Sequence, residues 1–596
     1  MPDTMLTEPI AEQVWRSKYR LRQNGHATEP NLHASRSRVA LALSNVEAHD
    51  RNDWRMRFES ILAHHRFLPG GRILAGAGSG RHVTLMNCFA AGAMHDAIDS
   101  IFGNLAETML TMQAGGGVGI DFSCLRPAGQ PAVGSGNIAS GPVSFMQVFD
   151  AACATLQSTG SRRGAMMATL RIDHPDIELF IHAKRDPQAL RHFNLSVLVS
   201  DAFMQALEKN EEWMLVFPLA GRVAPQGALV LDRIWSHSIT PEPCVVVRTV
   251  PARLLWEQLQ RTACETGDPG VLFIDRIARS NNLWYDESIS ATNPCGEVPL
   301  PPHGACNLGS INLTQFVQDP FGAHAKLDLA GIAATTAVAT RLLDNAIEAA
   351  QVPLKIQHKQ LLAARRIGIG ITGLADAFIM LGLRYGCDAS MEVAAIAMKT
   401  ICHSAYQTSI ELVKERGLFP AYRPRQFEAG PFILSLPAAL QDAIQHNGIH
   451  NSHLTAIAPA GSISLLANNI SSGIEPVFAF NGHRTVRDEH GTVVSLPVTD
   501  YAWRLFRQRT SGAQAPLPPY FVETGEIDWL SQLKVQAALQ QHVDQAIAKT
   551  INISPGADLS QFQDVFVQAY RLGLKGCTVF RASPARGAIV GDGPGR

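Results

Sequence analysis

The sequence lacks the features of membrane proteins, of secreted proteins and of proteins with a structural zinc site. No run approaches the roughly 18 apolar residues that a membrane helix needs, and the opening MPDTMLTEPIAEQVWRSKYR lacks the apolar core of a signal peptide. None of the ten cysteines has a partner at CxxC or CxH spacing, so no structural zinc site is expected. These absences predict a cytoplasmic protein whose cysteines stay reduced.

The sequence also lacks an excess of either charge. Its 51 basic and 52 acidic residues give a net charge of -1, which leaves no basic footprint for nucleic acid. Neither nucleic acid nor a membrane is therefore expected as a partner. With 596 residues, 46% of them hydrophobic, the chain fits one large globular catalytic unit with a helical appendage.

Hydrophobic periodicity predicts an α/β protein that begins with helices. Apolar residues recur at helical spacing between Ile10 and His65, and helices alternate with strands over most of the remaining chain. The segment from Gln426 to Gln445, interrupted by prolines, is predicted to be rich in loops. Further helices are predicted at Ser100–Gln113, Gly141–Leu156, Glu392–Arg416, Val535–Lys549 and Leu559–Leu572, and strands at Ala168–Asp173, from Leu454, and at Cys577–Phe580.

One short stretch concentrates chemistry in the middle of the chain. Asn293, Cys295 and Glu297 put an amide, a thiol and a carboxylate at alternate positions, which face the same way if the segment is extended. Cysteine can act as a nucleophile, metal ligand, redox partner or hydrogen-atom donor, and a nearby carboxylate can act as a base. A second thiol, Cys306, follows eleven residues on. The alternative is a plain turn with a solvated carboxylate and buried thiols.

The run NPCGEVPL, followed by CNLGSINL, resembles the active-site loop of ribonucleotide reductases, in the version of the adenosylcobalamin-dependent (class II) enzymes. The resemblance extends from about Ile10 to Arg581. It implies a ten-stranded α/β barrel of two five-stranded halves, with residues 293–297 at the tip of a central finger loop. The implied divisions are an N-terminal helical region over residues 1–66, the barrel over 67–581 and a flexible tail over 582–596.

The resemblance also implies a role for each reactive residue. Cys295 would become a thiyl radical that removes the 3′-hydrogen of a ribonucleotide, and Glu297 would take the proton of the 3′-hydroxyl. Asn293 would orient the sugar hydroxyls. Cys88 and Cys306 would donate the reducing equivalents and end as a disulfide, which requires that the fold bring the two sulfurs together.

Two small-residue segments are implied to contact the substrate. AGGGVG follows a predicted helix, and APAGSIS follows a predicted strand; a plain helix cap is the alternative at both places. At the second segment, backbone N–H groups at a helix start and two serine hydroxyls suit a phosphate. The candidate substrate contacts are Asn87, Ala114, Gly115, Ala460, Ser462, Ile463 and Ser464.

A loop rich in Gly and Arg is implied to read a deoxynucleotide effector. Arg162 and Arg163 lie in this loop, and Asp96 matches a carboxylate that contacts the effector in the family. A solvated basic turn is the alternative. The family pattern further implies a homodimer that forms the effector site, and a preference for ribonucleoside diphosphates over triphosphates.

A glycine pattern further along could suggest a dinucleotide site. Gly368, Gly370 and Gly373 fit GxGxxG, but the preceding Lys359–Arg366 has the pattern of a helix and not of the buried strand that a dinucleotide fold requires. The run is interpreted as structural packing.

The radical generator is inferred from what the end of the chain lacks. Class I large subunits receive their radical through two adjacent tyrosines, whereas this chain has GCTVF in that region and no Tyr-Tyr pair. It also lacks a glycyl-radical motif, which leaves adenosylcobalamin as the expected cofactor. Two alternatives stay open: a class I-type subunit that awaits a radical-bearing partner, and an inactive nucleotide-binding paralogue with a regulatory role.

The reductant poses a separate problem. Many class II reductases carry a C-terminal cysteine pair that relays electrons from thioredoxin, but Cys577 is the only cysteine in the last hundred residues. A thioredoxin-type reductant is therefore expected to act through a separate cysteine-pair polypeptide. The alternative is that the sequence is a truncated member of the family.

Overall fold

The computed structural model describes residues 6–23, 25–130, 138–156, 164–489, 491–510, 516–553 and 564–581. Single helical turns also occur at Trp15–Tyr19, Ala63–His65, Leu313–Phe316 and Thr524–Glu526. The α-helices are α1 (Pro9–Val14), α2 (Leu32–Ser44), α3 (Arg51–Leu62), α4 (Gly71–Gly76), α5 (Ile98–Gln113), α6 (Pro142–Thr155), α7 (Ile177–His182), α8 (Asp201–Lys209), α9 (Ala252–Thr266), α10 (Ile274–Arg279), α11 (Leu329–Glu348), α12 (Lys355–Ala364), α13 (Leu374–Met380), α14 (Asp388–Arg416), α15 (Pro424–Glu428), α16 (Pro431–Leu434), α17 (Ala438–Asn447), α18 (Gly461–Leu466), α19 (Tyr501–Arg509), α20 (Trp529–Gln540) and α21 (Val565–Arg571).

The strands form one large sheet and several small ones. They are β1 (Arg22–Gln23), β2 (His26–Ala27), β3 (Phe67–Pro69), β4 (Cys88–Ala90), β5 (Gly117–Asp121), β6 (Met166–Arg171), β7 (Phe193–Val199), β8 (Glu212–Pro218), β9 (Val230–Ile234), β10 (Pro241–Pro251), β11 (Gly270–Phe273), β12 (Ala291–Thr292), β13 (Pro299–Leu300), β14 (Ala305–Asn312), β15 (Val317–Gln318), β16 (Lys326–Leu327), β17 (Ile367–Thr372), β18 (Asn481–Arg487), β19 (Val493–Thr499), β20 (Thr550–Ile553) and β21 (Gly576–Arg581).

The first half of the large sheet contains five parallel strands. They stand in the order β4, β5, β6, β7, β11, and helices connect most of them. Six of the seven residues of β7 and five of the six of β6 are buried. Parallel strands that are covered on both faces have continuous apolar runs of this kind and do not alternate apolar with polar residues. This half is the α/β arrangement that the periodicity predicts.

The second half contains β14, β17, β20 and β21 and is completed by residues 454–458, here called the closing segment. β14 pairs with β17 and β20 pairs with β21, both in parallel. The closing segment joins these two pairs by parallel bridges from Thr455 to Ile369 and from Ile457 to Ile547, just before β20. Backbone hydrogen bonds such as Ile369 N to Leu454 O (2.9 Å) and Ile457 N to Ala546 O (3.2 Å) support these bridges.

The two halves meet along two antiparallel seams, where β14 pairs with β4 and β11 pairs with β21. Each half contributes five strands, and the two seams join the halves into a ring of backbone hydrogen bonds. The predicted ten-stranded α/β barrel of two five-stranded halves is therefore confirmed. β3 adds an extra antiparallel strand beside β14.

The N-terminal helices are joined to the second half by buried ion pairs. Arg341 of α11 donates to both carboxylate oxygens of Glu47, at 2.8 and 2.6 Å, and Arg416 of α14 donates to the same carboxylate at 2.9 Å. Glu47 follows α2 and is 2% exposed. The helical region is thus fixed to the barrel rather than tethered to it. Its division from the barrel at residue 66 stays a prediction, and the predicted tail over 582–596 lies outside the described residues.

The GxGxxG run is a buried strand, which agrees with the packing role predicted for it. α12 precedes it, and its glycines lie in or next to β17. A Cβ atom on Gly370 would lie 2.4 Å from the carbonyl oxygen of Ala456 in the closing segment. The small residues therefore allow two strands of the barrel to approach each other.

Three predictions about helices, strands and loops outside the central motif need correction. The helix predicted over Val535–Lys549 ends at Gln540, because Asp544 accepts backbone hydrogen bonds from Leu454 and Thr455 and so joins the next residues to the closing segment. The strand predicted from Leu454 is reduced to isolated bridges. The third correction concerns residues 426–445.

The segment over residues 426–445, predicted to be rich in loops, contains parts of three short helices, α15, α16 and α17. Pro424 and Pro431 stand at the first turn of α15 and α16, and Pro437 precedes α17. Proline has no N–H to lose at a helix start and its φ is already helical. The prolines therefore begin helices here instead of preventing them.

The other predicted helices lie within a few residues of the observed ones, although residues 559–563 at the start of the last are not described. Within the described residues, the helices are too short or too polar for any of them to cross a bilayer.

Candidate active site

Strands β12 and β13 form a narrow hairpin, and its tip carries the central motif. The Asn293 N–H donates to Val298 O at 3.1 Å, and the Val298 N–H donates to the Asn293 side-chain oxygen at 2.9 Å. Gly296 has a φ of 86°, which glycine adopts without strain. The motif is therefore a tight turn, and the prediction of an extended segment with alternate side chains aligned is wrong. The turn residues Pro294 and Gly296 decide the local geometry.

The hairpin lies inside the barrel and touches both halves. A Cβ atom on Gly119 of β5 would lie 1.7 Å from the carbonyl oxygen of Thr292, so only glycine allows the hairpin to come this close. Asn194 of β7 donates to Pro294 O at 2.7 Å. From the other half, the Ala546 N–H donates to Glu297 O at 3.0 Å. The predicted central finger loop is confirmed.

The three motif side chains differ in exposure. Asn293 and Glu297 are 3% and 2% exposed, whereas Cys295 is partly exposed. The thiol at the tip is accordingly the most accessible member of the motif. An amide and a carboxylate are held within two residues of it by the turn.

Cys88 and Cys306 lie directly opposite each other across the β4–β14 seam. Residues that are opposite in an antiparallel pair have Cβ atoms about 4.5–5.5 Å apart. A small adjustment brings this within the roughly 3.5–4.5 Å of a disulfide. Both are buried, and neither forms a disulfide in this structure. The fold thus brings together the two cysteines that the family resemblance implies as a redox pair, although they are far apart in the chain.

The surroundings of Cys306 are apolar with a few buried polar groups. Burial raises the pKa of the Cys306 thiol far above its usual value. The Arg366 guanidinium and the Gln545 side chain act in the opposite direction, and the carboxylates of Asp544 and Glu297 raise the pKa further. The thiol is therefore protonated, and its thiolate depends on two neighbours that sequence reasoning missed.

Asn87 directly precedes Cys88, and its backbone oxygen accepts from the Gly117 N–H at 3.0 Å. Its side-chain oxygen is buried and has no hydrogen-bond partner among the described residues. A Cβ atom on Gly70 would lie 2.5 Å from this oxygen. The predicted contact at Asn87 thus retains an acceptor that the protein leaves unused.

Ala114 and Gly115 directly follow α5, where the predicted helix cap is found. Gly115 has a φ of 103°, and a Cβ atom there would lie 2.8 Å from the guanidinium carbon of Arg72. An arginine of α4 thus packs against this backbone. The sequence predicts this small-residue segment but gives no signal that Arg72 packs against it.

The segment Ala460–Ser464 follows the closing segment and begins α18. Ala460 has a left-handed φ of 52°, which turns the chain into the helix. The Ser464 hydroxyl donates to Gly461 O at 2.9 Å, while Ser462 accepts from the Lys18 ammonium at 2.8 Å. Ile463 is buried among residues of the N-terminal helices. Of the two predicted hydroxyl donors, Ser462 is the more exposed.

Asp96 is paired with Arg126. The Arg126 Nε donates to Asp96 at 2.6 Å, and the Arg126 backbone N–H donates at 3.1 Å. Arg162 and Arg163 lie outside the described residues. Sequence reasoning missed Arg126 because the two residues are 30 positions apart and no local pattern links them.

Comparisons with known proteins agree with this geometry. A family model described as "Ribonucleotide reductase, barrel domain" matches residues 86–580. A second, described as "Ribonucleotide reductase, all-alpha domain", matches residues 5–82.

Curated relatives align over nearly the whole chain. A vitamin B12-dependent ribonucleoside-diphosphate reductase of Mycobacterium tuberculosis is 34% identical over 573 residues, which cover 93% of this chain and 75% of the relative. A protein of the same name from Thermoplasma acidophilum is 32% identical over 88% of this chain and 65% of its own length. A ribonucleoside-diphosphate reductase subunit alpha of Synechocystis is 29% identical over 87% of this chain and 68% of its own length. The barrel, the finger and these matches together show that the chain belongs to the ribonucleotide reductase family.

Proposed function

We propose that the protein reduces ribonucleoside diphosphates to 2′-deoxyribonucleotides by thiyl-radical chemistry, with adenosylcobalamin as the cofactor. The observation that carries this proposal is the arrangement of three thiols. One lies partly exposed at the tip of the finger, and two lie in register across the barrel seam. The names of the M. tuberculosis and T. acidophilum relatives support both the cofactor and the diphosphate.

The side chains at the tip fit the removal of a 2′-hydroxyl group. Adenosylcobalamin, when bound, supplies the one-electron oxidation that makes the Cys295 sulfur a radical. That sulfur then removes the 3′-hydrogen of the ribose. Glu297 takes the proton of the 3′-hydroxyl, which eases departure of the 2′-hydroxyl as water, and Asn293 orients the sugar hydroxyls. Cys88 and Cys306 supply two electrons and form a disulfide.

The chain's own residues fit this choice of cofactor. Cys295 is the motif residue that an external radical source can approach, since it is partly exposed while its neighbours are buried. The last strand, β21, contains Cys577, Thr578, Val579 and Phe580 and no tyrosine. The tyrosine pair that would relay a radical from a second subunit is absent from the sequence. A source that binds directly at the barrel is therefore favoured.

The substrate is proposed to lie between the finger and the two small-residue segments. Asn87, Ala114 and Gly115 would contact the nucleoside side through backbone atoms and the unused Asn87 oxygen. Residues 460–464 would hold the phosphates. Ala456 and Ala458, which lead into that segment, pack in the same cluster as Cys88 and Cys306. A phosphate there would consequently be near the redox pair.

Effector control is proposed to act through Asp96 and the loop that carries Arg162 and Arg163. The surface beside Asp96 suits a homodimer, because α5 exposes Ile98 (62%) and Phe102 (48%) and the nearby α6 exposes Val148 (37%). Exposed apolar side chains on adjacent helices mark an interaction surface. A second copy of the chain would bury them.

The disulfide must be reduced for each new turnover. We propose a thioredoxin-type reductant that acts through a separate polypeptide with a cysteine pair, because both redox cysteines are buried. A cytoplasmic location fits this cycle, since the redox pair has to be returned to the thiol form. Comparing turnover on thioredoxin, thioredoxin reductase and NADPH with turnover on a small dithiol tests the relay, and equal rates would refute it.

The deciding experiment is an assay of the purified protein with a ribonucleoside diphosphate and dithiothreitol, with and without adenosylcobalamin. Deoxynucleotide formation only with the cofactor supports the proposal. Activity that requires a second, radical-bearing protein would favour the class I-type subunit. Nucleotide binding without turnover under any of these conditions would favour an inactive regulatory paralogue. Running ribonucleoside triphosphates in parallel tests the preference for diphosphates.

A further inference from the structure

Strand β7 carries a polar, exposed residue among buried neighbours. Asn194 is exposed, although the other six residues of β7 are buried. Alternate side chains of a strand point to the same face, so Asn194 shares its face with Leu198. Leu198 packs in one apolar cluster with Ile289, which shortly precedes the first strand of the finger. The face of β7 that carries Asn194 is therefore the face that meets the finger.

The side chain of Asn194 holds the tip of the finger. Its amide nitrogen donates to the backbone oxygen of Pro294 at 2.7 Å, across 100 positions of the chain. The ring of the same proline packs against β5, since a Cβ atom on Gly117 would lie 3.0 Å from the Pro294 Cγ atom. Pro294 is therefore fixed by two strands of the first half of the barrel.

The carbonyl group that Asn194 holds belongs to the peptide bond between Pro294 and Cys295. The six atoms of a peptide unit lie in one plane, so the position of the Pro294 oxygen determines where the nitrogen and the Cα atom of Cys295 lie. After Cys295, the Gly296 N–H donates to Asn293 O at 3.0 Å. The backbone on both sides of the thiol is thereby fixed.

The transfer of a hydrogen atom to this thiol's sulfur is sensitive to where the sulfur lies. Reacting atoms need to come within about 3–3.5 Å of each other, and a displacement of about 1 Å can cost about a hundredfold in rate. Asparagine is depleted in strands, and an exposed side chain contributes little to packing. Asn194 is therefore better explained by the peptide bond that it holds than by the stability of β7.

We propose that Asn194 is a positioning residue for hydrogen abstraction, and that its amide N–H keeps the Cys295 sulfur where the transfer requires it. In that step the sulfur radical takes the hydrogen atom of the 3′-carbon. The C–H bond breaks, an S–H bond forms, and the unpaired electron is left on the carbon. Asn194 acts on this step through the peptide bond between Pro294 and Cys295. The inference rests on the proposed function, which assigns Cys295 as the radical carrier.

The first measurement needs no turnover. Hydrogen exchange of the backbone amides of residues 293–298 is followed by mass spectrometry in the unaltered full chain and in Asn194→Ala, which removes the side-chain amide. Exchange reports local opening separately from global unfolding. We expect these amides to exchange about three- to tenfold faster in the variant, as the loss of one hydrogen bond predicts, while those of β6 keep their rates. Unchanged exchange at the tip would overturn the inference.

The second measurement compares reduction of a ribonucleoside diphosphate that carries hydrogen or deuterium at its 3′-carbon, with adenosylcobalamin and dithiothreitol present. In Asn194→Ala, kcat/KM should fall by about tenfold to a hundredfold, through kcat rather than KM. The hydrogen/deuterium ratio of kcat/KM should rise, because the transfer becomes a larger part of the barrier, whereas a smaller folded fraction would leave it unchanged. Asn194→Gln keeps an amide donor and should recover part of both effects. An unchanged ratio in Asn194→Ala would overturn the inference.

Gln536→Met is the matched control. The Gln536 side-chain amide also donates to a backbone oxygen of a barrel strand, at 3.0 Å, but its partner Gly576 begins β21 and is not part of the finger. Because Gln536 is fully buried, its replacement should lower the unfolding midpoint at least as much as Asn194→Ala. It should leave exchange at the tip and the isotope ratio within about twofold of the unaltered protein.

Two further outcomes separate the inference from the proposed function. Equal changes in Asn194→Ala and Gln536→Met would reflect a general loss of stability, and would overturn the role of Asn194 alone. No reduction by the unaltered protein would overturn the proposed function and, with it, the kinetic role of Asn194. The two failures are distinguishable, because hydrogen exchange does not depend on turnover.

Discussion

The finger tip and the barrel seam hold cysteines in two different ways. At the tip, Cys295 stands in a tight turn, partly exposed, between an amide and a carboxylate. At the seam, Cys88 and Cys306 are buried on paired strands, and their separation is set by the register of the sheet. A sulfur that reacts with substrate has to be reachable, whereas two sulfurs that react with each other need only be fixed. The predictions below separate these two requirements.

The largest effect is expected from Cys295→Ser. Sulfur and oxygen are similar in size, but a serine hydroxyl cannot serve as the radical carrier, so turnover should fall by on the order of a thousandfold or more. Nucleotide binding should stay nearly intact, because the turn is built by backbone groups and Asn293. Parallel measurements of deoxynucleotide formation and of equilibrium nucleotide binding check this. Multiple turnovers by the variant would remove Cys295 from its central role.

Replacing a cysteine at the seam should have a different signature. Cys88→Ser or Cys306→Ser leaves the finger unchanged, so release of a label from the 3′-carbon of the substrate should persist while net reduction to deoxynucleotide is lost. The seam can then supply no electron pair. Following label release and product in the same reaction distinguishes the two steps. A variant that matches the unaltered protein with dithiothreitol would show that the redox pair is assigned wrongly.

Gly119→Ala should displace the finger and spare the seam. The new methyl group would lie 1.7 Å from Thr292 O, so the hairpin has to move. A displacement of about 1 Å at a reacting group can cost about a hundredfold in rate, and we expect a loss of that order in kcat/KM. The Cys88–Cys306 disulfide should still form and be reduced at its usual rate.

Gly103→Ala is the control for Gly119→Ala. Gly103 lies in α5, and a methyl group added there would meet no other atom within 4 Å, so alanine should stabilise the helix by about 0.5–1 kcal/mol without changing activity. Urea unfolding measures the first effect and the standard assay measures the second. Full activity of Gly119→Ala would mean that the hairpin does not need its close approach to β5.

The last prediction concerns stability and not activity, at Lys575, whose ammonium donates to the backbone oxygens of Asp544 and Gln545. Burial lowers the pKa of its ammonium from 10.5 to about 8 in the folded protein. Between these two pH values the unfolded chain binds more protons than the folded chain, so this group makes stability rise with pH by about 3 kcal/mol in total. Lys575→Met should remove that rise. The check is the difference in unfolding free energy between pH 7.5 and 10, compared with the exposed control Lys209→Met.

The sequence predicts the architecture better than the local geometry of its own central motif. Parallel strands and covering helices leave a periodic signal, and the finger is implied by the family resemblance of the NPCGE and CNLGS runs. The extended arrangement predicted for Asn293–Glu297 is wrong because Pro294 and Gly296 make a turn. Two hydrogen bonds between Asn293 and Val298 close this turn. Turn chemistry competes with strand periodicity there, and the turn prevails.

Long-range pairing explains most of what the sequence does not reveal. The helix predicted to reach Lys549 stops at Gln540 because the following residues pair with the closing segment about 90 positions earlier. Gln545 and Arg366 come close to Cys306 only through the strand order of the second half. No local sequence pattern indicates such long-range contacts. The spatial pairing of Cys88 with Cys306 is likewise implied only by family resemblance.

The seam between β4 and β14 gives the redox pair a mechanical consequence. A disulfide between these strands ties one half of the ring covalently to the other and closes a very long loop of chain. Cross-links of long loops restrict the unfolded ensemble by about 5 kcal/mol in entropy-based estimates. Each turnover would then leave the two halves cross-linked, and each re-reduction would remove the cross-link. The thermal unfolding of a sample would thereby report the fraction of its molecules that contain the disulfide.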